Sequence, residues 1–160
     1  MKSNFKINII GLFLLFISLT SCGYSKINTT DSDRYKILSF KSSGNQRAAY
    51  IIKNEIGLYS QKDSDNALNV FLNVDKKKEV KEKNISNKVS KYNITLKVQL
   101  SLTDKNAKQT DYTFSRSSEL LVSDSPSETN EEENRIIEVL AETIANKITQ
   151  TLNIKYRKWF

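Results

Sequence analysis

"YNITLKVQLSLT" spans residues 92–103, and its reading decides the fold. Tyr92, Ile94, Leu96, Val98, Leu100 and Leu102 take alternate positions, with Asn93, Thr95, Lys97, Gln99, Ser101 and Thr103 between them. Side chains on an extended strand point alternately to its two faces, so this pattern makes one dry face and one wet face. A helix would scatter the same apolar side chains around its circumference. Taken from Ser90 to Thr103, the strand is about 46 Å long at 3.3 Å per residue, well beyond the usual length of about five or six residues. The sheet is expected to be elongated and covered on one side.

The flanking segments supply the rest of that sheet. "DKNAK" (104–108) is a turn, and "TDYTFSRSSELLVS" (110–123) returns as a strand carrying Tyr112, Phe114 and Val122. Upstream, Leu68, Val70, Leu72 and Val74 alternate in the same way, and "RYKILSF" (34–40) is a short apolar run that reads as the first strand. Between those two, Ala48, Ile52, Ile56 and Tyr59 recur at helical spacing over residues 44–61, with Ser43 and Gln46 placed as a capping box. A last helix follows "DSPSETNEEEN": Ser125 stands as N-cap, Pro126 at the first helical position and Glu128 at the third. Its apolar stripe is Ile137, Leu140, Ala141, Ile144, Ile148 and Leu152. Glu128, Glu131, Glu132 and Glu133 crowd its start, and Lys147, Lys155, Arg157 and Lys158 lie toward its end, as the helix dipole favours. That glutamate cluster reads as an acidic first turn rather than a metal site. The order is β-α-β-β-β-α, a two-layer α+β fold in which two helices cover one face of a four-stranded sheet.

The N-terminus is of a different kind. The apolar run from Ile7 to Leu19 is 13 residues long. As a helix it would reach only about 20 Å, against a hydrocarbon core of roughly 30 Å. Lys2 and Lys6 precede it, and Ser18, Thr20 and Ser21 follow, the order of a secretory signal peptide. "LTSC" (19–22) resembles the lipobox of bacterial lipoproteins, in which a cysteine thiol accepts a diacylglycerol and the signal is cut just before it. The expected organisation is a cleaved signal at 1–21, a lipidated N-terminus and tether at 22–33, and one domain at 34–160. Cys22 would carry the lipid. Gly23 rather than an aspartate follows it, which resembles the sorting pattern for an outer-membrane destination.

Composition narrows the function. Without residues 1–21 the side-chain charge is 23 minus 18, or +5. An exported lipoprotein has little nucleic acid to meet, so its anionic partners are lipid headgroups, phosphorylated glycolipids or acidic proteins. The single cysteine leaves the domain no internal disulfide, and the chain has no histidine, the commonest general base and metal ligand. No spacing singles out a nucleophile and a base, and no Gly-rich phosphate loop occurs. Neither catalytic residues nor a cofactor is expected.

The strongest charge feature is "KKKEVKEKNISNKVSK" (76–91), seven lysines against Glu79 and Glu82. It either extends two strands into a hairpin or forms a mobile loop. Lys76, Lys77, Lys78, Lys81 and Lys83 are candidate contacts for an anionic glycolipid. Equally, the segment reads as a solvated hairpin whose lysines protect sheet edges. The wet sheet face, with Asn93, Lys97 and Gln99, is a second candidate surface. The tail "KYRKWF" (155–160) is a third, suited to a lipid interface or to packing on the domain itself.

Cys22-Gly23-Tyr24 followed by β-α-β-β-β-α resembles the LPS-assembly lipoprotein (LptE) family. The closing portion, "YTFSRSSELLVSDSPSETNEEENRIIEVLAETIANKITQTL" (112–152), is similar to that family's last strand, linker and long helix. The resemblance implies a non-enzymatic outer-membrane lipoprotein, membrane-anchored and facing the periplasm. Such a protein plugs the lipopolysaccharide-export β-barrel, assists its assembly and contacts lipopolysaccharide. A lipid-anchored scaffold subunit of another envelope-assembly complex, without lipopolysaccharide binding, is the alternative.

Overall fold

A computed structural model describes residues 35–156. The expected signal at 1–21, the expected lipid site Cys22, the expected tether at 22–33, Arg34 and the tail residues 157–160 lie outside the described residues. The elements are β1 (Tyr35–Gly44), α1 (Gln46–Leu58), β2 (Asn66–Lys83), β3 (Val89–Asp104), β4 (Gln109–Leu121) and α2 (Pro126–Tyr156). The sheet runs β1-β2-β3-β4 in space as in sequence. β1 and β2 are parallel, so the connection between them must cross the sheet, and α1 is that crossover. The pairs β2–β3 and β3–β4 are antiparallel.

The period-two pattern fixes the register. Leu68, Val70, Leu72 and Val74 of β2 stand opposite Asp104, Leu102, Leu100 and Val98 of β3. Ile94 through Leu102 of β3 are at most 1 % exposed at every second position. α1 contributes Ala48, Ala49, Ile52 and Ile56 to this core, and α2 contributes a stripe from Ile136 to Leu152. Burial of each such Leu or Ile side chain contributes roughly 1.5–3 kcal/mol. Tyr35 closes one end: its hydroxyl donates to the Ile56 carbonyl at 3.0 Å, and its ring tilts against Tyr156 at 6.3 Å.

Three local details differ from the sequence reading. The cap of α1 is Asn45, whose side chain accepts from the Ala48 N–H at 3.0 Å, because β1 stays paired with β2 through Gly44 and carries Ser43 inside the strand. At α2, the Ser125 hydroxyl accepts from the Glu128 N–H at 3.4 Å, but the Glu128 carboxylate turns to the Ser123 hydroxyl, so the reciprocal half of the box is absent. β4 ends at Leu121, and Val122 beyond it donates to the Ser90 carbonyl.

Segment 76–91 is a hairpin, with its turn at 84–88. Asn84 accepts from the N–H groups of Ser86 and Lys88, and Asn87 takes φ 60°. The other hairpin repeats this construction, with Asp104 accepting from Asn106 and Lys108 and with Ala107 at φ 59°. A carboxylate or amide at the first position thus organises both turns.

Gly44 has φ +83°, and a Cβ there would collide with the Val74 carbonyl oxygen. Gly44→Ala is therefore expected to destabilise the domain by about 2 kcal/mol or more, read as a lowered thermal midpoint. An unchanged midpoint would mean that the β1–α1 corner is not built as described.

Candidate functional site

Parity divides the lysine-rich hairpin. Lys76 and Lys78 continue the even register of Leu68–Val74 and so point to the helix side of the sheet, whereas Lys77 is turned to the open side. On the helix side, α2 brings Glu133 over them. Its two oxygens accept from Lys76 Nζ at 2.8 Å and Lys78 Nζ at 2.6 Å, and its side chain is only 11 % exposed. The Lys78 ammonium also sits 4.4 Å from the centre of the Tyr92 ring. Burial pushes the Glu133 carboxyl up, but hydrogen bonds and charge from the two lysines outweigh it and hold the group below the usual carboxylate range.

The other hairpin lysines lie at the surface. Lys77 pairs with Glu79 at 2.8 Å and Lys91 with Glu82 at 2.6 Å; Lys81 pairs with Glu119. Among the described residues, no ion pair involves Lys83 or Lys88, which flank the turn. Ile85 at that turn is fully exposed. The five candidate lysines are therefore not one patch. Lys76 and Lys78 join in a clamp with Glu133, Lys77 and Lys81 are shared with surface glutamates, and Lys83 stands at the tip.

The open sheet face is polar and cross-linked. The Ser43 hydroxyl lies 2.9 Å from Asn73 Oδ1, and Asn73 Nδ2 donates to Gln99 Oε1 at 3.1 Å, a chain across three strands. Ser39 joins Asn69 in the same way at 2.6 Å. Toward β4, Asp111 accepts from Gln109 at 3.0 Å, and the Ser101 hydroxyl and Gln109 amide hold its carboxyl below the usual range. A shallow depression of about 570 Å³ opens there, with the half-exposed Phe71 on its wall. No cluster of potential metal ligands occurs among the described residues. Lys155 and Tyr156 are packed on the domain: Lys155 donates to the Thr110 hydroxyl at 3.0 Å and approaches the Tyr112 and Tyr156 rings.

Glu133 was the residue that charge counting missed. It belongs to an acidic run that reads as dipole complement, and its partners lie 55 and 57 positions away. The signal was the even numbering of Lys76 and Lys78, which places them inward.

A two-layer α+β domain with a long hairpin and one uncovered face is a fold shared with solved bacterial lipoproteins. Rare lipoprotein B from Shewanella oneidensis superposes with a TM-score of 0.61 at 13 % identity, over 75 % of this chain and 96 % of that one. A minor lipoprotein from Acinetobacter baumannii gives 0.56 at 13 % identity, over 76 % and 94 %. The solution structure of lipoprotein B from Nitrosomonas europaea gives 0.56 at 12 % identity, over 81 % and 91 %. No curated protein matches the chain in sequence. The lipopolysaccharide-assembly family model, LptE, matches residues 28–152, and the chain belongs to that family.

The clamp has a pH signature. The folded pKa of Glu133 lies below its unfolded value, so its contribution is complete above the ordinary carboxylate range and is lost as the pH falls through the folded value. Glu133→Gln should destabilise the domain by about 1–2 kcal/mol at neutral pH and flatten the acid limb of its stability curve. Equal losses for wild type and variant between pH 7 and pH 3 would assign that limb to other carboxylates.

Proposed function

We propose that this chain is an outer-membrane lipoprotein, anchored through a lipid on Cys22 and facing the periplasm. In this reading it plugs the lipopolysaccharide-export β-barrel, assists the barrel's assembly and meets lipopolysaccharide on its way to the cell surface. Its part is binding and assembly, not catalysis. Family membership supplies the lipopolysaccharide-assembly role. The observation that carries the plug is the uncovered sheet face, which is polar apart from Phe71 and Leu121 and links side chains of three strands through Ser43, Asn73 and Gln99. Such a face needs no apolar partner and suits a water-filled lumen.

The tip of the hairpin suits the anionic ligand. Lys83 and Lys88 flank the exposed Ile85, and Lys77 and Lys81 lie at exposed sites nearby. Surface ion pairs such as Lys81–Glu119 contribute only about 0–1 kcal/mol, so a phosphate can replace the glutamate at little cost. β1 begins at the end of the sheet remote from that tip, since Tyr35 pairs with Asn66. The 18 residues of β2 span about 60 Å, so the start of β1 and the hairpin tip lie at opposite ends of the sheet.

Affinity purification of the full-length lipidated protein from solubilised membranes, followed by mass spectrometry, should recover an outer-membrane barrel in stoichiometric amount. Recovery of a different envelope complex would favour the scaffold reading. Cys22→Ala should leave the precursor uncleaved by the lipoprotein-specific peptidase and displaced from the outer membrane; normal processing would refute the anchor.

Charge reversal at Lys77, Lys81 and Lys83 should weaken lipopolysaccharide binding several-fold with little change in melting temperature. Reversal at Lys76 and Lys78 should instead lower stability by breaking the Glu133 clamp. The opposite division of effects would return ligand binding to the helix side.

A further inference from the structure

β4 is less well covered than its neighbours. Its inward residues Tyr112, Phe114, Arg116 and Ser118 stand in register with Leu100, Val98, Leu96 and Ile94 of β3. The β3 members are fully buried, whereas the β4 members are half-buried or exposed. α2 faces this gap with Ile136, Val139, Leu140 and Ile144, set between Arg135 and Lys147 at the three-and-four spacing of one helix face. The result is a groove of two adjoining cavities that meet at Arg116.

The two cavities differ in chemistry. The larger, about 320 Å³, has Ile136, Val139 and Leu140 on its wall, and Val139 is 48 % exposed there with nothing over it. The smaller, about 160 Å³, lies between Arg116 and Lys147 beside Thr113 and Ser115. The Arg116 guanidinium donates to the Ser115 carbonyl at 3.2 Å. Among the described residues neither Arg116 nor Lys147 forms an ion pair, and no carboxylate lines either cavity. This contrasts with the hairpin, where most lysines have a glutamate. Arg135, at the far end, is held by Glu132.

We propose that this groove holds one acyl chain of an anionic membrane phospholipid, with its phosphate between Arg116 and Lys147. The guanidinium fork suits two phosphate oxygens, and the ammonium adds a second charge. The chain then lies along the exposed face of Val139, with the buried Ile136 and Leu140 forming the floor beneath it. From Lys147 to Arg135 the groove extends about 18 Å at 1.5 Å per residue. The acyl chains of one leaflet fill about half of a roughly 30 Å hydrocarbon core, so the lengths agree. The proposal rests on the membrane-anchored reading only for where the lipid is met, and its test needs no barrel.

The test uses the full-length protein, purified without partners into phosphatidylcholine nanodiscs. The probe is a lysophosphatidate whose myristoyl chain carries a photoreactive diazirine, and labelled peptides are mapped by mass spectrometry. Label is expected on residues 113–118 and 136–144. Arg116→Glu should lower it at least five-fold, while Arg116→Lys retains at least half. Val139→Trp, which fills the larger cavity from an exposed position, should also remove label while leaving the melting temperature unchanged. Equal labelling by the corresponding neutral monoacylglycerol would overturn the proposal. So would label that is indifferent to Arg116→Glu and Val139→Trp, or label spread evenly over the domain. Failure to recover a barrel in the affinity experiment would leave each of these outcomes interpretable.

Discussion

One mismatch of lengths governs this domain: two long hairpin strands and one long helix are matched, and α1 is too short for them. β3 with 16 residues spans about 53 Å and α2 with 31 residues about 46 Å, so the long helix runs most of the strand. α1 has 13 residues and spans only about 20 Å. It begins beside Val74, where Asn45 donates its N–H to the Val74 carbonyl, and returns toward Tyr35. The part of β2 that α1 covers carries Leu68 to Val74 inward. Beyond its reach the inward residues become Lys76 and Lys78.

Glu133 follows from that change. Inward lysines next to a packed helix need an acceptor, because an ammonium left unpaired at one-third exposure loses hydration without compensation. α2 supplies the acceptor to Lys78, whose strand partner is the buried Ile94. The clamp therefore ties β2 to α2 just beyond Val74, the last of its inward apolar residues before the lysines. The Arg47–Glu138 pair does the same between the start of α1 and α2. Polar contacts take over at the places where the helix layer runs out.

Legibility in the sequence follows the same division. β3 was readable because its apolar residues alternate without interruption, and both helices because their stripes are regular. The ends were not. After Phe40, β1 has only Lys41, Ser42, Ser43 and Gly44, which look like a loop, yet parallel pairing to β2 carries the strand to Gly44. The outer hairpin likewise has few apolar residues, Val80, Ile85 and Val89; its ladder rests on backbone hydrogen bonds and on cross-strand charges such as Lys91–Glu82. Backbone pairing leaves no side-chain signature. For the lysines, local charge suggested a patch, but neutralisation by Glu133 and Glu119 comes from elements distant in the chain.

What remains cationic after this pairing differs from what the sequence count suggests. A local excess spread over segment 76–91 contracts to Lys83 and Lys88 at the turn, while Arg116 and Lys147 stand without acids on the flank of α2. These two places differ physically. At the tip the charges are exposed and screened within about 8 Å at physiological salt, which suits capture of an anion from solution. On the flank Arg116 and Lys147 are exposed as well, but they stand beside the exposed side chain of Val139, which suits holding a headgroup whose chain lies alongside. On the proposed reading, a plug with its polar sheet toward a wet lumen has its flank contact on the helix side, while the hairpin carries Lys77 on the sheet side. The open face can then meet water or the barrel wall, where Ser43, Asn73 and Gln99 already satisfy one another across three strands.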